Sequence, residues 1–209
     1  METTTSSSPG SFRLAVGLGV STFVLLGVGG TVNPSGSSLA CPDWPTCYGS
    51  FFPEMTGGVE FEHTHRMVAS FVGLLTLVLA FKLWRERALD PILSKLGFLA
   101  VAMVIIQGVL GGITVLLELP PAVSMAHLAL SMLFFALTIY ICFRTRGLQV
   151  RVLATGMTTT QKLCAWAAGA VYLQILLGGL VRHTREGMAC GVDIPWCNGA
   201  IWPAGAGQI

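Results

Sequence analysis

Charge is scarce in this chain. Its 209 residues include only 10 acidic and 12 basic side chains, 11% of the total, where a soluble domain carries about 25%. That deficit excludes a fold solvated mainly by water. The net charge of +2 is small and scattered along the chain, so there is no basic footprint for a phosphate backbone and a nucleic-acid partner is excluded. The six cysteines lack a Cys-x-x-Cys or a paired His at ligand spacing, which argues against structural zinc. No small-residue cleavage site closely follows the first apolar run, which therefore reads as a retained span and not as a removed signal. What remains is apolar: 53% of residues are hydrophobic and the mean hydropathy is +0.72.

A helix needs about 20 apolar residues to cross the hydrocarbon core, because no backbone group can go unpaired in lipid. Five segments meet that length, 14–32, 67–84, 96–117, 122–143 and 163–181. The expected fold is all-α: a polytopic membrane protein with one transmembrane four-helix bundle and the first helix of a second, repeated bundle. Lys and Arg concentrate on the cytoplasmic side of membrane proteins. An N-terminus inside the cell places nine of the twelve basic residues there and leaves Arg66, Arg182 and Arg185 outside. The expected division is a cytoplasmic tail over 1–13, a first four-helix half over 14–146 with an external loop at 33–64, a cytoplasmic linker over 147–162, and the start of a second half over 163–209. The Ser/Thr-rich start, 2–9, reads as disordered. The 33–64 loop is too long for a simple connector and is expected to pack as a cap over the bundle.

An internal repeat supports this division. The first helix ends in Gly29-Gly30-Thr31-Val32 and leads into Cys41 and Cys47; the fifth ends in Gly178-Gly179-Leu180-Val181 and leads into Cys190 and Cys197. Eleven residues separate the second Gly from the first Cys in both copies, and the copies are offset by 149. Four helices fall within one offset, so the unit is a four-helix bundle, and the chain carries one unit and the opening of another.

Both cysteine pairs fall in external loops under this topology. They read either as disulfide staples or as redox-active pairs, while Cys142 and Cys164 lie near the cytoplasmic side as inert thiols. Glu62, His63, His65 and Arg66 cluster at the external mouth of the second helix, which an interfacial anchor would also explain. His127 lies inside the fourth span, where an imidazole is costly unless paired or ligating. The second and fourth helices run in the same direction, so His65 and His127 can face each other at one depth and hold heme iron between them. Glu62, three residues before His65, would bring a carboxylate to the same face for proton relay. Arg66 is open to two readings, a partner for a heme propionate or a snorkelling anchor. Gln107 and Gln174, each four residues before a Gly-Gly pair, read as helix-packing residues. Glu118 with Pro120 and Pro121 reads as a helix stop. His63 and His183 read as solvated loop histidines.

Taken in order, several stretches resemble the heme A synthase family. They are Gly29-Gly30 through Cys41-Pro42-Asp43-Trp44-Pro45, the Glu62-x-x-His65-Arg66 cluster, Gln107 through Val115 with Leu119-Pro120-Pro121, and His127-Leu128. Members have eight helices in two similar halves and oxidise the C8 methyl of heme O to the formyl of heme A for terminal oxidases. The resemblance implies that Glu62 is the active-site acid, that His65 and His127 bind the substrate heme, with Arg66 beside it, and that Cys41 with Cys47 and Cys190 with Cys197 are disulfides. It implies a cell-membrane location, lipid and heme O as partners, and heme O synthase and an electron acceptor as further ones; homo-oligomerisation is left open. It also implies a heme b in the second half. The equivalent of His65 would fall at position 214, past Ile209, so the chain is expected to be truncated after the fifth helix and to lack that heme's ligands. Two other functions fit a small bundle with paired external cysteines: a quinone-linked disulfide oxidase, and a non-catalytic heme-binding subunit.

Overall fold

The computed structural model describes residues 7–147, 156–184 and 196–197. It contains five helices, α1 (Pro9–Val32), α2 (Val59–Arg85), α3 (Pro91–Leu116), α4 (Pro121–Thr145) and α5 (Thr159–Thr184), and no strand among the described residues. All five are long and apolar enough to cross a membrane. The protein is an all-α, multi-pass membrane protein.

Local chemistry sets the helix starts. Proline occupies the first turn of α1, α3 and α4, where its missing N–H is no loss. Ser8 caps α1 by accepting from the Ser11 amide. Asp90 caps α3, its Oδ1 accepting from the Ile92 and Leu93 amides at 2.9 and 3.3 Å. Gly58 precedes α2 at φ +96°, a left-handed conformation, and a Cβ there would meet Ser37 Oγ at 2.7 Å.

The chain divides into two compact units, Met1–Met157 and Thr158–Ile209. In the first, each of α1 to α4 packs on the next and α4 closes back on α1. The buried positions follow one helical stripe per helix: Ser11, Ala15, Leu18 and Thr22 on α1; Val72, Thr76, Leu79 and Leu83 on α2; Leu93, Gly97 and Ala100 on α3; Phe134, Thr138, Ile141 and Thr145 on α4. Many are small, which lets the backbones approach. The Thr22, Thr76 and Thr138 hydroxyls donate to carbonyls one turn back, at 2.7 Å each, so their burial leaves no polar group unpaired. Large apolar side chains such as Phe23, Phe71, Leu74 and Phe98 face outward, where lipid replaces water as solvent.

The tie points fix the directions of the helices. The start of α1, the end of α2, the start of α3 and the end of α4 share one end of the bundle. There the Ser8 and Ser11 hydroxyls donate to Glu86 at 2.6 and 2.8 Å, Ser7 Oγ donates to the Thr145 carbonyl at 2.9 Å, and Arg144 pairs with Asp90 at 2.8 Å. The opposite end carries the 33–58 loop, so the four helices alternate up and down.

Two expected boundaries shift. α1 starts at Pro9 and not at 14, and Ser7 and Ser8 dock on α4 and on Glu86, so this part of the 2–9 segment is ordered by its own hydroxyls; residues 1–6 lie outside the described residues. α2 starts at Val59, so the loop is 33–58 and the last six residues assigned to it, Glu62 and His63 among them, are helical. A hydropathy window stops at charged residues; here burial and pairing carry the helix past them. The second unit contains α5, and the following loop is described only at Trp196 and Cys197.

Candidate functional site

The loop between α1 and α2 is built around a short disulfide, Cys41–Cys47, with both sulfur-bearing residues fully buried. Inside that ring Asp43 organises a turn. Its carboxylate accepts from the Thr46 hydroxyl at 2.5 Å and from the Tyr48 and Gly49 amides at 2.6 and 2.8 Å. The Thr46 hydroxyl first, then the Gly49 and Tyr48 amides, hold the Asp43 carboxyl at about 2, below its usual 3.8. Trp44, next in the ring, lies on α3: a Cβ on Gly112 would meet its Cδ2 at 2.9 Å. Only a glycine lets the indole sit this close to the helix backbone.

One pair on α2 holds this loop. Glu62 is buried, accepting from the Cys41 amide at 2.9 Å through one oxygen and from Arg66 Nη2 at 2.5 Å through the other. Arg66 also donates to the carbonyls of Asp43, Thr46 and Cys41 at 2.7, 2.5 and 3.2 Å. A carboxylate and a guanidinium at i and i+4 thus satisfy the backbone of the folded ring, which would otherwise bury unpaired carbonyls. His63, on the neighbouring position, is also buried; its Nε2 is 3.1 Å from the Phe51 carbonyl, and its Nδ1 is buried without a partner. Cys41, Cys47 and His63 bring their sulfur and nitrogen atoms within 4.8 Å of one another.

Beneath the loop stand the two spanning histidines. His65 lies against α1, where a Cβ on Gly29 would come within 2.8 Å of its Cε1. His127 on α4 lies against α3, its Cε1 3.6 Å from where a Cβ on Gly111 would be. Both rings therefore pack on neighbouring helices. Gln107 on α3 donates to the His127 backbone carbonyl at 3.1 Å, the cross-helix amide bond that its place in the sequence suggested. The His65 and His127 rings have no hydrogen-bond partner among the described residues, and their buried Nδ1 atoms are unsatisfied, as are Gln107 Oε1 and Ser124 Oγ. Unpaired imidazoles in an apolar bundle are costly. The donor set fits a group that supplies its own partners, and neutral imidazoles with apolar walls suit an iron porphyrin.

The structure thus brings Glu62, His65, Arg66 and His127 to one end of the bundle, together with the Cys41–Cys47 loop. It changes two readings. Arg66 was expected beside a propionate or as a snorkelling anchor, but four hydrogen bonds commit its guanidinium to the loop and to Glu62, and its side chain is only 12% exposed. His63 was expected to be solvated; it is helical and buried at the disulfide. Asp43, Trp44 and Gly112 went unassigned in the sequence. The Asp43 to Gly49 spacing, an acid followed by a turn, is the one local signal that marks any of them. Glu118 and Leu119 do end α3, both at positive φ. Cys142 and Cys164 are free thiols. Cys197 is disulfide-bonded; Cys190 and the rest of its loop lie outside the described residues. His183 and Gln174 lie on α5, in the second unit.

The sequence has clear relatives. The family model described as cytochrome oxidase assembly protein matches residues 54–209. The chain is 31% identical over 195 residues to a heme A synthase of Bacillus pumilus, a match covering 86% of this chain and 61% of that protein. It is 30% identical over 209 residues to a heme A synthase of Symbiobacterium thermophilum, covering 93% and 67%, and 32% identical over 192 residues to one of Lysinibacillus sphaericus, covering 89% and 61%. It therefore spans about three fifths of the length of two of these three relatives.

Proposed function

The chain belongs to the cytochrome oxidase assembly protein family, that of the heme A synthases, and from that membership and the unpaired imidazoles of His65 and His127 we propose that it binds heme O and oxidises its C8 methyl to the formyl of heme A. The observation that carries this reading is the pair of half-buried imidazoles, one each from α2 and α4, with no partner among the described residues. His65 and His127 would hold the iron of the substrate heme through their ring nitrogens. Bound heme O supplies the methyl group and the iron; turning the methyl into a formyl takes one oxygen atom from water and releases four protons and four electrons, the electrons passing to a separate acceptor. Glu62 stands one turn before His65 on the same face of α2. Its two hydrogen bonds use about half the acceptor capacity of a carboxylate, so it can still take a proton released at the substrate. Arg66 positions Glu62 and the loop through four of its five N–H donors. The disulfide loop, with Trp44 laid on Gly112, covers part of this end of the bundle.

The same reading sets the membrane topology. The end that carries Glu86, Arg87, Lys95 and Arg144 is cytoplasmic, and the disulfide end faces the oxidising outside of the cell membrane, where such a bridge persists. Heme O synthase is the expected supplier of substrate. In the fuller architecture of the family a heme b belongs to the second half.

The test is pigment conversion. Membranes containing the chain, supplied with heme O, should yield heme A on extraction, and Glu62→Gln should retain the bound pigment while losing conversion. Recovery of unaltered heme O from the wild type would leave a heme-binding subunit and overturn the enzymatic reading. A chain that takes up no heme but oxidises quinone-linked thiols, an activity lost in Cys41→Ser/Cys47→Ser, would establish the disulfide oxidase instead.

A further inference from the structure

His63 has no part in the proposed heme chemistry, yet it is buried and its ring is fixed. A carbonyl can only accept, so the 3.1 Å contact with the Phe51 oxygen assigns the proton to Nε2 and leaves the lone pair of the neutral ring on Nδ1. That nitrogen is buried and unsatisfied. The sulfurs of Cys41 and Cys47 and a ring nitrogen of His63 fall within 4.8 Å of one another, all in buried residues. Histidines that bind metals characteristically donate their other N–H to a backbone carbonyl, which fixes the ring and raises its basicity. Two thiolates and one such imidazole form a soft three-donor set.

We infer that, when its disulfide is open, the α1–α2 loop is a binding site for a thiophilic d10 cation, with Cys41, Cys47 and His63 as ligands. A dithiol reductant converts the Cys41–Cys47 bridge to two thiols and is itself oxidised to a disulfide. The incoming divalent ion then displaces one proton from each thiol and takes the lone pair of Nδ1. Tetrahedral zinc geometry sets donor atoms about 3.6 to 3.8 Å apart, so the two sulfurs, bonded to each other in the bridge, separate as the ion enters between them. The fourth position falls to water or a partner's donor. Metal and disulfide are then alternative staples of one loop, chosen by redox state. The site does not depend on the heme reading, because none of its ligands touches iron.

Cobalt(II) reports on it directly. The full chain, reduced with dithiothreitol and exchanged anaerobically into reductant-free buffer, should take up cobalt with a thiolate charge-transfer band in the near ultraviolet and tetrahedral d–d bands in the visible, and zinc should displace it. Oxidised wild type should give neither band. His63→Ala should weaken cobalt binding at least tenfold, and Cys41→Ser/Cys47→Ser should abolish the charge-transfer band. Reduced wild type without that band overturns the inference whatever the variants do. So does a band that survives in the double cysteine variant, or equal affinity in His63→Ala.

Discussion

At Arg66 four hydrogen bonds converge on one guanidinium, and three of their acceptors are backbone carbonyls of a ring closed by a disulfide. Removing one partner of a buried ion pair leaves the other charged and unpaired, which costs on the order of 3–5 kcal/mol. Arg66→Ala should therefore destabilise the detergent-solubilised protein by about 3 kcal/mol in chemical unfolding and open the 33–58 loop to protease. Arg66→Lys should recover little, because a point ammonium cannot reach the same fork of carbonyls. A loss below about 0.5 kcal/mol would return Arg66 to the role of an interfacial anchor. Asp43 gives the same ring a pH dependence. Its carboxyl is held at about 2, from 3.8. A depressed folded value means that its contribution is complete above 3.8 and is lost as pH falls from there toward about 2. Amide exchange at Tyr48 and Gly49 should accelerate across that window, and Asp43→Asn should remove the pH dependence.

Among elements, the contact between α1 and α2 is the most exacting. Gly29 leaves room for the His65 ring, whereas a Cβ on Gly30 would meet nothing within 4 Å. Gly29→Ala should displace the ring and lower heme occupancy several-fold, measured by pyridine hemochrome per mole of protein, and Gly30→Ala should leave it unchanged. Equal effects would mean that His65 is not seated against α1. The elements themselves were readable: apolar length marked all five helices, and the depth of His127 marked it as a group needing a partner. The tertiary ties were not. Arg66 binds carbonyls that converge only after the loop closes, and Ser7 and Ser8 look like a polar tail until Thr145 and Glu86 stand beside them. His63 reads as solvated because nothing in its sequence neighbourhood shows that Phe51 and the disulfide will cover it.

Across the described four-helix unit, threonines and small residues share the inner stripes with Leu18, Leu79, Leu83, Phe134 and Ile141, while further large apolar side chains such as Phe23, Phe71 and Leu74 face outward, where lipid replaces water as solvent. The inner polar atoms satisfy themselves one turn back along their own helices, except near one end, where His65, Gln107, Ser124 and His127 retain unpaired buried atoms. Among the described residues these four and His63 hold the buried side-chain nitrogen and oxygen atoms without a partner, and the proposed heme site accounts for the four. The direct measurement is electron paramagnetic resonance of the ferric, heme-loaded full chain. The account predicts a low-spin spectrum of two-imidazole ligation that His65→Ala and His127→Ala each convert to high spin or abolish. A low-spin spectrum unchanged in both variants would contradict it.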